Sequence, residues 1–399
     1  MQLNFEIISF AFCISSLFVF ALRQVRKTSF KFKKHFVVYS GKSDSGAQLL
    51  GGLPVSMAML TGILLVSALG YEWRVTKYLL GSFFLSSTFI ISYGYLDDRF
   101  ELRPIVKLAA QVLAVFSFSL VNSLVLGDYF STIMFIGLMF YGIGTLNGTN
   151  LLDGLDMMTV KISCAVYLTY AFIGVLYDSQ TVLNYSLIFM ACLLPFTFYN
   201  KFPSKMHLGE IGGTFIGLSY LFLFTAAFKD IRLNRNFVDA FILCIFPATI
   251  SMSEVGISFM RRIYNGKSPF IGDRFHLHHI FRNYYNLSVP ATTYLLSISY
   301  GAILLTTLSC MFFTNIPKVL TYTALCIGLG GFQLYYGKKY WIKKSSSTNL
   351  KNILTSLQKE DVFVIDSSMV DKFEFKVLQD KSDKIIQLDD YKKKESDAA

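Results

Sequence analysis

The sequence predicts an all-α, polytopic membrane protein of about eleven transmembrane helices, with the N-terminus outside and the C-terminus in the cytoplasm. Three observations carry this expectation. Hydrophobic residues make up 53% of the 399, and 16% are aromatic. They gather in runs of about 17–25 residues, the length that crosses a hydrocarbon core as a helix. The lysines and arginines between the runs are shared unequally, about twenty on one side of the resulting topology against about six on the other, which sets the basic side in the cytoplasm.

The runs span roughly 5–22, 47–70, 78–96, 104–126, 129–146, 160–177, 181–199, 211–228, 237–260, 292–313 and 319–337. Several are apolar all round, as a helix in contact with lipid and with other helices requires. The first run has no basic residue before it and no small-residue cleavage site ahead of Arg23, so it reads as a retained span and not as a signal peptide. All six cysteines (Cys13, Cys164, Cys192, Cys244, Cys310, Cys326) fall inside the runs and far apart. They indicate packing, with neither a disulfide framework nor a zinc site. Residues 1–342 form the membrane domain. Beyond the linker-like "KKSSSTNLKN", residues 343–399 form a small or partly disordered cytoplasmic tail, in which "DVFVIDSSMV" and "FEFKVL" are the candidate strand pair.

The net charge of +11 follows mostly from the cytoplasmic loops. It suits an anionic lipid surface or a phosphorylated ligand. Nucleic-acid binding has no support, because the charges are divided among loops without a recognisable module. A transporter would place its ionisable groups near mid-membrane in two related halves, and no internal repeat is visible.

Four polar loops fall on the one cytoplasmic face: "YLDDRFELRP", "NGTNLLDGLD", "YNKFPSKMHLGEIGG" and "RRIYNGKSPFIGDRFHLHHIF". Singly, each has an ordinary reading as a cap, a turn or a solvated loop. Together they set costly carboxylates at the ends of apolar helices, which marks a functional site on that face. Asp97, Asp98, Asn150, Asp153, Asp156 and Glu210 are hard oxygen donors without cysteine, a set suited to Mg²⁺ or Mn²⁺. Lys107, Arg274, His276, His278 and His279 are placed to hold phosphate oxygens. The combination points to phosphoryl transfer at the membrane boundary. No P-loop, GxSxG or HExxH motif is present.

"LDDRFELRPIVKLAAQ", "NGTNLLDGLD", "NKFPSKMHLGEIGG" and "SPFIGDRFHLHH" occur in the order found in the polyprenyl-phosphate N-acetylhexosamine-1-phosphate transferases. The chain resembles the bacterial undecaprenyl-phosphate branch, and its histidine motif is closer to the WecA-type members than to the peptidoglycan type. The resemblance covers about residues 45–285. It implies a multi-pass protein of the bacterial inner membrane that uses a UDP-N-acetyl sugar, undecaprenyl phosphate and Mg²⁺ (or Mn²⁺) to make undecaprenyl-diphosphate-sugar and UMP. That reaction initiates a lipid-linked surface glycan. A homodimer would be in keeping with such a family.

The resemblance gives catalytic weight to Asp97, Asp98, Asp153 and Asp156, with Asp97 or Asp98 as the base. It puts Asn150 and Glu210 at the metal. Asn200 is expected to contact uridine and His207 to stack on it, while Asn147, Lys107, Arg274, His276, His278 and His279 bind the rest of the substrate. Three departures bear on activity: "GD.GS" is here "GEIGG", which makes the metal carboxylate Glu210 and the usual serine Gly213, and "DGLDGL" is "DGLDMM", with Met157 for a glycine. A 6-deoxy N-acetyl sugar donor and an inactive membrane scaffold are the alternatives these departures keep open.

Overall fold

The computed structural model describes residues 5–28, 51–68, 73–100, 102–126, 131–264, 266, 268, 276–283 and 285–310, scattered positions between 320 and 335, and residues 364–365 and 386–387. The chain divides into two compact units, Met1–Tyr335 and Tyr336–Ala399. The regular elements among its described residues are helices. Its helices are α1 (Phe5–Thr28), α2 (Gly52–Ala68), α3 (Trp73–Phe100), α4 (Pro104–Leu126), α5 (Ser131–Leu152), α6 (Met158–Leu176) and α7 (Gln180–Leu193). There follow α8 (Thr197–Asn200), α9 (Gly209–Arg232), α10 (Phe237–Ile245), α11 (Thr249–Tyr264), α12 (Leu277–Asn283) and α13 (Val289–Cys310).

Seven stretches are long and apolar enough to cross a membrane: Lys77–Asp98, Pro104–Val125, Ser131–Leu152, Met158–Leu176, Gln180–Asn200, Gly209–Arg232 and Phe237–Tyr264. They match the third to ninth expected spans. The first two expected spans carry the shorter apolar helices Ile8–Ala21 and Gly52–Leu65, and the tenth is α13. The eleventh lies outside the described residues except at scattered positions. Two of the seven are broken by a short 3-10 turn with a proline in it, Leu194–Phe196 and Phe246–Ala248. Proline lacks the N–H that an unbroken α-helix needs there.

Helix α9 is the axis of the bundle. From Gly209 to Phe228 every residue is buried. The helix is packed against α2, α3, α5, α6, α7 and α10. Such a helix must be apolar all round, because each face meets protein. Phe222 on α9 meets Phe83 of α3 and Tyr185 of α7 edge-on, each at 5.0 Å between ring centroids, and Phe224 meets Tyr141 of α5 at 4.5 Å. Interlocked rings of this kind contribute roughly 0.5–1.5 kcal/mol each beyond their buried area. At Gly94 of α3 a Cβ would lie 3.0 Å from the Ile211 Cα, so the missing side chain lets the end of α3 close onto the start of α9. Chain alternation then brings the ends of α3, α5, α8 and α11 together with the starts of α4, α6 and α9.

In the second unit Val364–Ile365 pairs in parallel with Ile386–Gln387. The first strand lies in the expected "DVFVIDSSMV". Its partner is Ile386–Gln387 instead of "FEFKVL", and 373–378 lie outside the described residues.

Candidate active site

The first turn of α9 organises the acids. A helix N-terminus leaves backbone N–H groups without partners inside the helix, and carboxylates satisfy both the hydrogen bonds and the dipole. The Glu210 N–H donates to Asp98 Oδ1 at 2.9 Å, and the neighbouring Ile211 N–H bonds to the same carboxylate. The Gly209 N–H donates to Asp153, which also accepts from Thr159 Oγ1 at 3.4 Å. Two sequence-distant loops are thus tied to one helix start. Burial pushes the Asp153 carboxyl up to about 8, a value at which it holds its proton at neutral pH.

Asp97 and Asp98 separate into different roles. Asp97 Oδ2 lies 2.6 Å from Lys107 Nζ, and its Oδ1 accepts from the Leu102 N–H at 2.7 Å. Both of its oxygens are engaged in holding the turn between α3 and α4. Asp98 spends only Oδ1 on α9, and its buried Oδ2 has no hydrogen-bond partner among the described residues. Glu210 behaves alike. Its Oε2 accepts from Asn150 Nδ2 at 2.9 Å and lies 3.6 Å from Lys107 Nζ, whereas its buried Oε1 has no partner there.

Two buried, unpartnered carboxylate oxygens fit a hard divalent cation, because an uncompensated oxygen of that kind is otherwise costly. No group of three or more Asp, Glu, His or Cys is arranged to enclose a metal among the described residues.

The "DGLD" loop and the loop before α9 are held by side chains. Asn200 is buried: its Oδ1 accepts from the Met157 N–H at 2.8 Å and its Nδ2 donates to the Met206 carbonyl at 2.9 Å. Expected to contact uridine, it is occupied here in joining the two loops. Asp156 Oδ2 accepts from the Ser204 N–H at 3.0 Å, and Asp156 Oδ1 stands 4.0 Å from His207 Nδ1. Burial lowers the His207 pKa, with Asp156 opposing the shift. Met157 sits at φ 65°, the left-handed region where a glycine is at ease. The methionine that replaces the expected glycine therefore carries backbone strain of about 1–2 kcal/mol. Gly213 has a reason of its own: a Cβ there would stand 2.8 Å from Asn150 Oδ1 and 2.9 Å from the Asn150 Cα.

His276, His278 and His279 form a stack whose ring centroids are 4.2–6.1 Å apart. The stack abuts the "DGLD" loop, since a Cβ on Gly154 would lie 2.3 Å from His278 Nε2. Burial, reinforced by its histidine neighbours, holds the His278 pKa well below the usual value. A cavity of about 280 Å³ is lined by Lys107, Asn147, Asn150 and Glu210 and by the apolar Leu108, Ile143, Val255 and Phe259. Arg274 lies outside the described residues. The structure adds Glu254, Ser258, Arg261 and Arg262 of α11 to the surroundings of the site, and Ser258 and Arg262 line the cavity. Glu254 was detectable as an acid inside an apolar span.

Residues 80–227 match the family model described as glycosyl transferase family 4. This stretch is similar to glycosyl transferase family 4. The region contains Asp97, Asp98, Lys107, the "DGLD" loop and Glu210. A relative from Bacillus subtilis, named probable undecaprenyl-phosphate N-acetylglucosaminyl 1-phosphate transferase, is 29% identical over 242 residues, covering 58% of this chain and 64% of its own. An undecaprenyl-phosphate alpha-N-acetylglucosaminyl 1-phosphate transferase of Thermotoga maritima is 29% identical over 199 residues, covering 50% and 60%. The Escherichia coli K12 protein of that name is 25% identical over 295 residues, covering 67% and 74%. The chain thus spans less than two thirds of the length of the first two of these relatives.

Proposed function

We propose that the protein transfers a sugar 1-phosphate, GlcNAc-1-phosphate in the first instance, from a UDP-N-acetylhexosamine to undecaprenyl phosphate. The observation that carries this reading is the pair of buried oxygens without partners among the described residues on Asp98 and Glu210, with Glu210 3.6 Å from Lys107 Nζ and lining a largely apolar cavity. Such a cavity suits an amphiphile with an anionic head. The names of the relatives support both the polyprenyl-phosphate acceptor and the N-acetylglucosaminyl group.

The net change forms a bond between an oxygen of the lipid phosphate and the β-phosphorus of the donor. The bond from that phosphorus to the oxygen bridging to the α-phosphorus breaks, and UMP leaves with the electron pair. Asp98 is the better base of the two neighbouring aspartates, since both oxygens of Asp97 are engaged. Lys107 and the histidine segment face the developing negative charge. Glu210 and Asn150 would hold Mg²⁺, which would supply charge neutralisation on the diphosphate. Asp153, Asp156 and Asn200 keep the loops in register with α9. In this reading the protein crosses the bacterial inner membrane about eleven times, N-terminus out, with the site in the cytoplasm where nucleotide sugars are found.

The test is UMP release from UDP-GlcNAc by purified protein with undecaprenyl phosphate and Mg²⁺. Asp98→Asn and Glu210→Gln are each expected to lower the rate by about 100-fold or more. Absence of UMP release by the unmodified protein with every UDP-N-acetyl sugar tried would overturn the reading.

A further inference from the structure

The loop 201–208 joins two of the stretches that can cross a membrane, Gln180–Asn200 and Gly209–Arg232, and so lies at the membrane boundary, next to the helix start that carries Glu210. It is closed and held from within. Lys201 is the extended C-cap of α8, and the Lys205 and Met206 N–H groups both return to the Tyr199 carbonyl, at 2.8 and 3.2 Å. Ser204 and Met206 are buried: the Ser204 N–H donates to Asp156 Oδ2 at 3.0 Å, and the Ser204 hydroxyl donates to the Met206 carbonyl at 2.8 Å. Lys201, Phe202, Pro203 and Lys205 are left outward, all exposed. Because the chain doubles back onto Tyr199, the two lysines flank Phe202 on one loop tip.

The chemistry of this tip selects its partner. Phe202 is 55% exposed, and it follows Leu194 and Phe198, the exposed large apolar residues one turn apart at the end of the preceding span. Exposed apolar residues on the outside of a membrane bundle meet acyl chains, and an aromatic ring at the end of a span sits at headgroup level. The loop contains no Asp or Glu, and neither lysine has an acidic partner among the described residues. A lysine stem lies along apolar surface while its ammonium reaches for charge. We propose that this tip is a contact for anionic phospholipid, with Phe202 among the upper acyl chains and Lys201 and Lys205 on the headgroup phosphates. A zwitterionic headgroup carries a cation of its own beside the phosphate, so the lysines favour lipid of net negative charge. The contact does not depend on the transfer reaction proposed above. It bears on the same frame, because Asn200 and Asp156, which hold the loop from within, belong to or bind the "DGLD" segment.

The test uses full-length protein in phospholipid vesicles. Trp73→Phe and Trp341→Phe remove the two native tryptophans, and Phe202→Trp then sets a reporter on the tip. Its emission is expected to be quenched by brominated phospholipid. Brominated phosphatidylglycerol should occupy the tip about 5–25-fold better than brominated phosphatidylcholine at equal mole fraction, at about fivefold for each lysine. Lys201→Gln together with Lys205→Gln should bring that ratio near unity. Absence of quenching by either lipid would put the tip in water, where a soluble acidic partner would meet it, and overturns the proposal. Equal quenching by the two lipids, a preference that survives the double lysine substitution, or displacement of phosphatidylglycerol by UDP overturns it as well. A second measurement leaves every aromatic residue in place. Native mass spectrometry of the purified protein with added phosphatidylglycerol is expected to show the loss of one bound lipid per chain in the double lysine variant. An unchanged number of bound lipids overturns the proposal, whether or not the protein transfers sugar phosphate.

Discussion

Placing an alanine at Gly213 tests the seam between α5 and α9. A Cβ at this position would lie 2.8 Å from Asn150 Oδ1 and 2.9 Å from the Asn150 Cα. Ordinary carbon contacts need about 3.5–4.0 Å, so the two helices must part by roughly 0.6–1 Å. The side-chain oxygen can turn, but the Cα belongs to the backbone of α5. Asn150 also donates to Glu210 Oε2 at 2.9 Å, so its displacement is passed to the carboxylate. Overpacking of this kind costs about 1–3 kcal/mol, and a misplacement near 1 Å at a reacting centre costs about 100-fold in rate. The assay pairs thermal unfolding in detergent with UMP release. Gly144→Ala is the control: it lies on α5, and its Cβ would meet only the Met252 side chain, at 3.4 Å or more. Gly213→Ala with unchanged melting and a rate within twofold of wild type would refute the reasoning that this glycine sets the helix spacing.

Asp153→Asn is expected to raise thermal stability at pH 7 without divalent cations by roughly 2–3 kcal/mol, and by little at pH 4. The folded carboxyl titrates at about 8 and the unfolded one near 4, so over that interval the folded chain binds a proton the unfolded chain releases, and stability falls as pH rises. Melting curves across this range check the slope, which should flatten in the variant. Asn200→Ala leaves the Met157 N–H and the Met206 carbonyl unpaired and should lower stability by about 1–3 kcal/mol per buried group; an unchanged melting point with a raised KM for the donor would instead assign it to uridine. Gly154→Ala would drive a Cβ to 2.3 Å from His278 Nε2 inside the histidine stack, and about a tenfold or greater loss of transfer is expected, read as a steady-state rate.

The helical class was legible because the bilayer imposes a length and an apolar surface on every span. The meeting of Asp98, Asp153 and Glu210 was legible in outline, because alternation of the chain puts their loops at one end. What the motif could not give was the division of labour between adjacent residues. Asp97 and Asp98 are identical as letters, yet one closes a turn with Lys107 and the other keeps an oxygen unpartnered. Asn200 reads as a ligand contact in the motif, while its partners are backbone groups of loops that meet only on folding. Glu254 is legible only as a costly acid within an apolar run, and its contact with His276 comes from another element that arrives on folding. The φ of Met157 is set by the junction between the loop and α6, and neighbouring letters do not report it.

The central helix carries Glu210 in its first turn and is enclosed by protein from Gly209 to Phe228. Its environment is therefore shared by six other helices. A replacement at any residue there is met by several neighbours at once, so a change that suits one interface of this helix still has to be accommodated by the others.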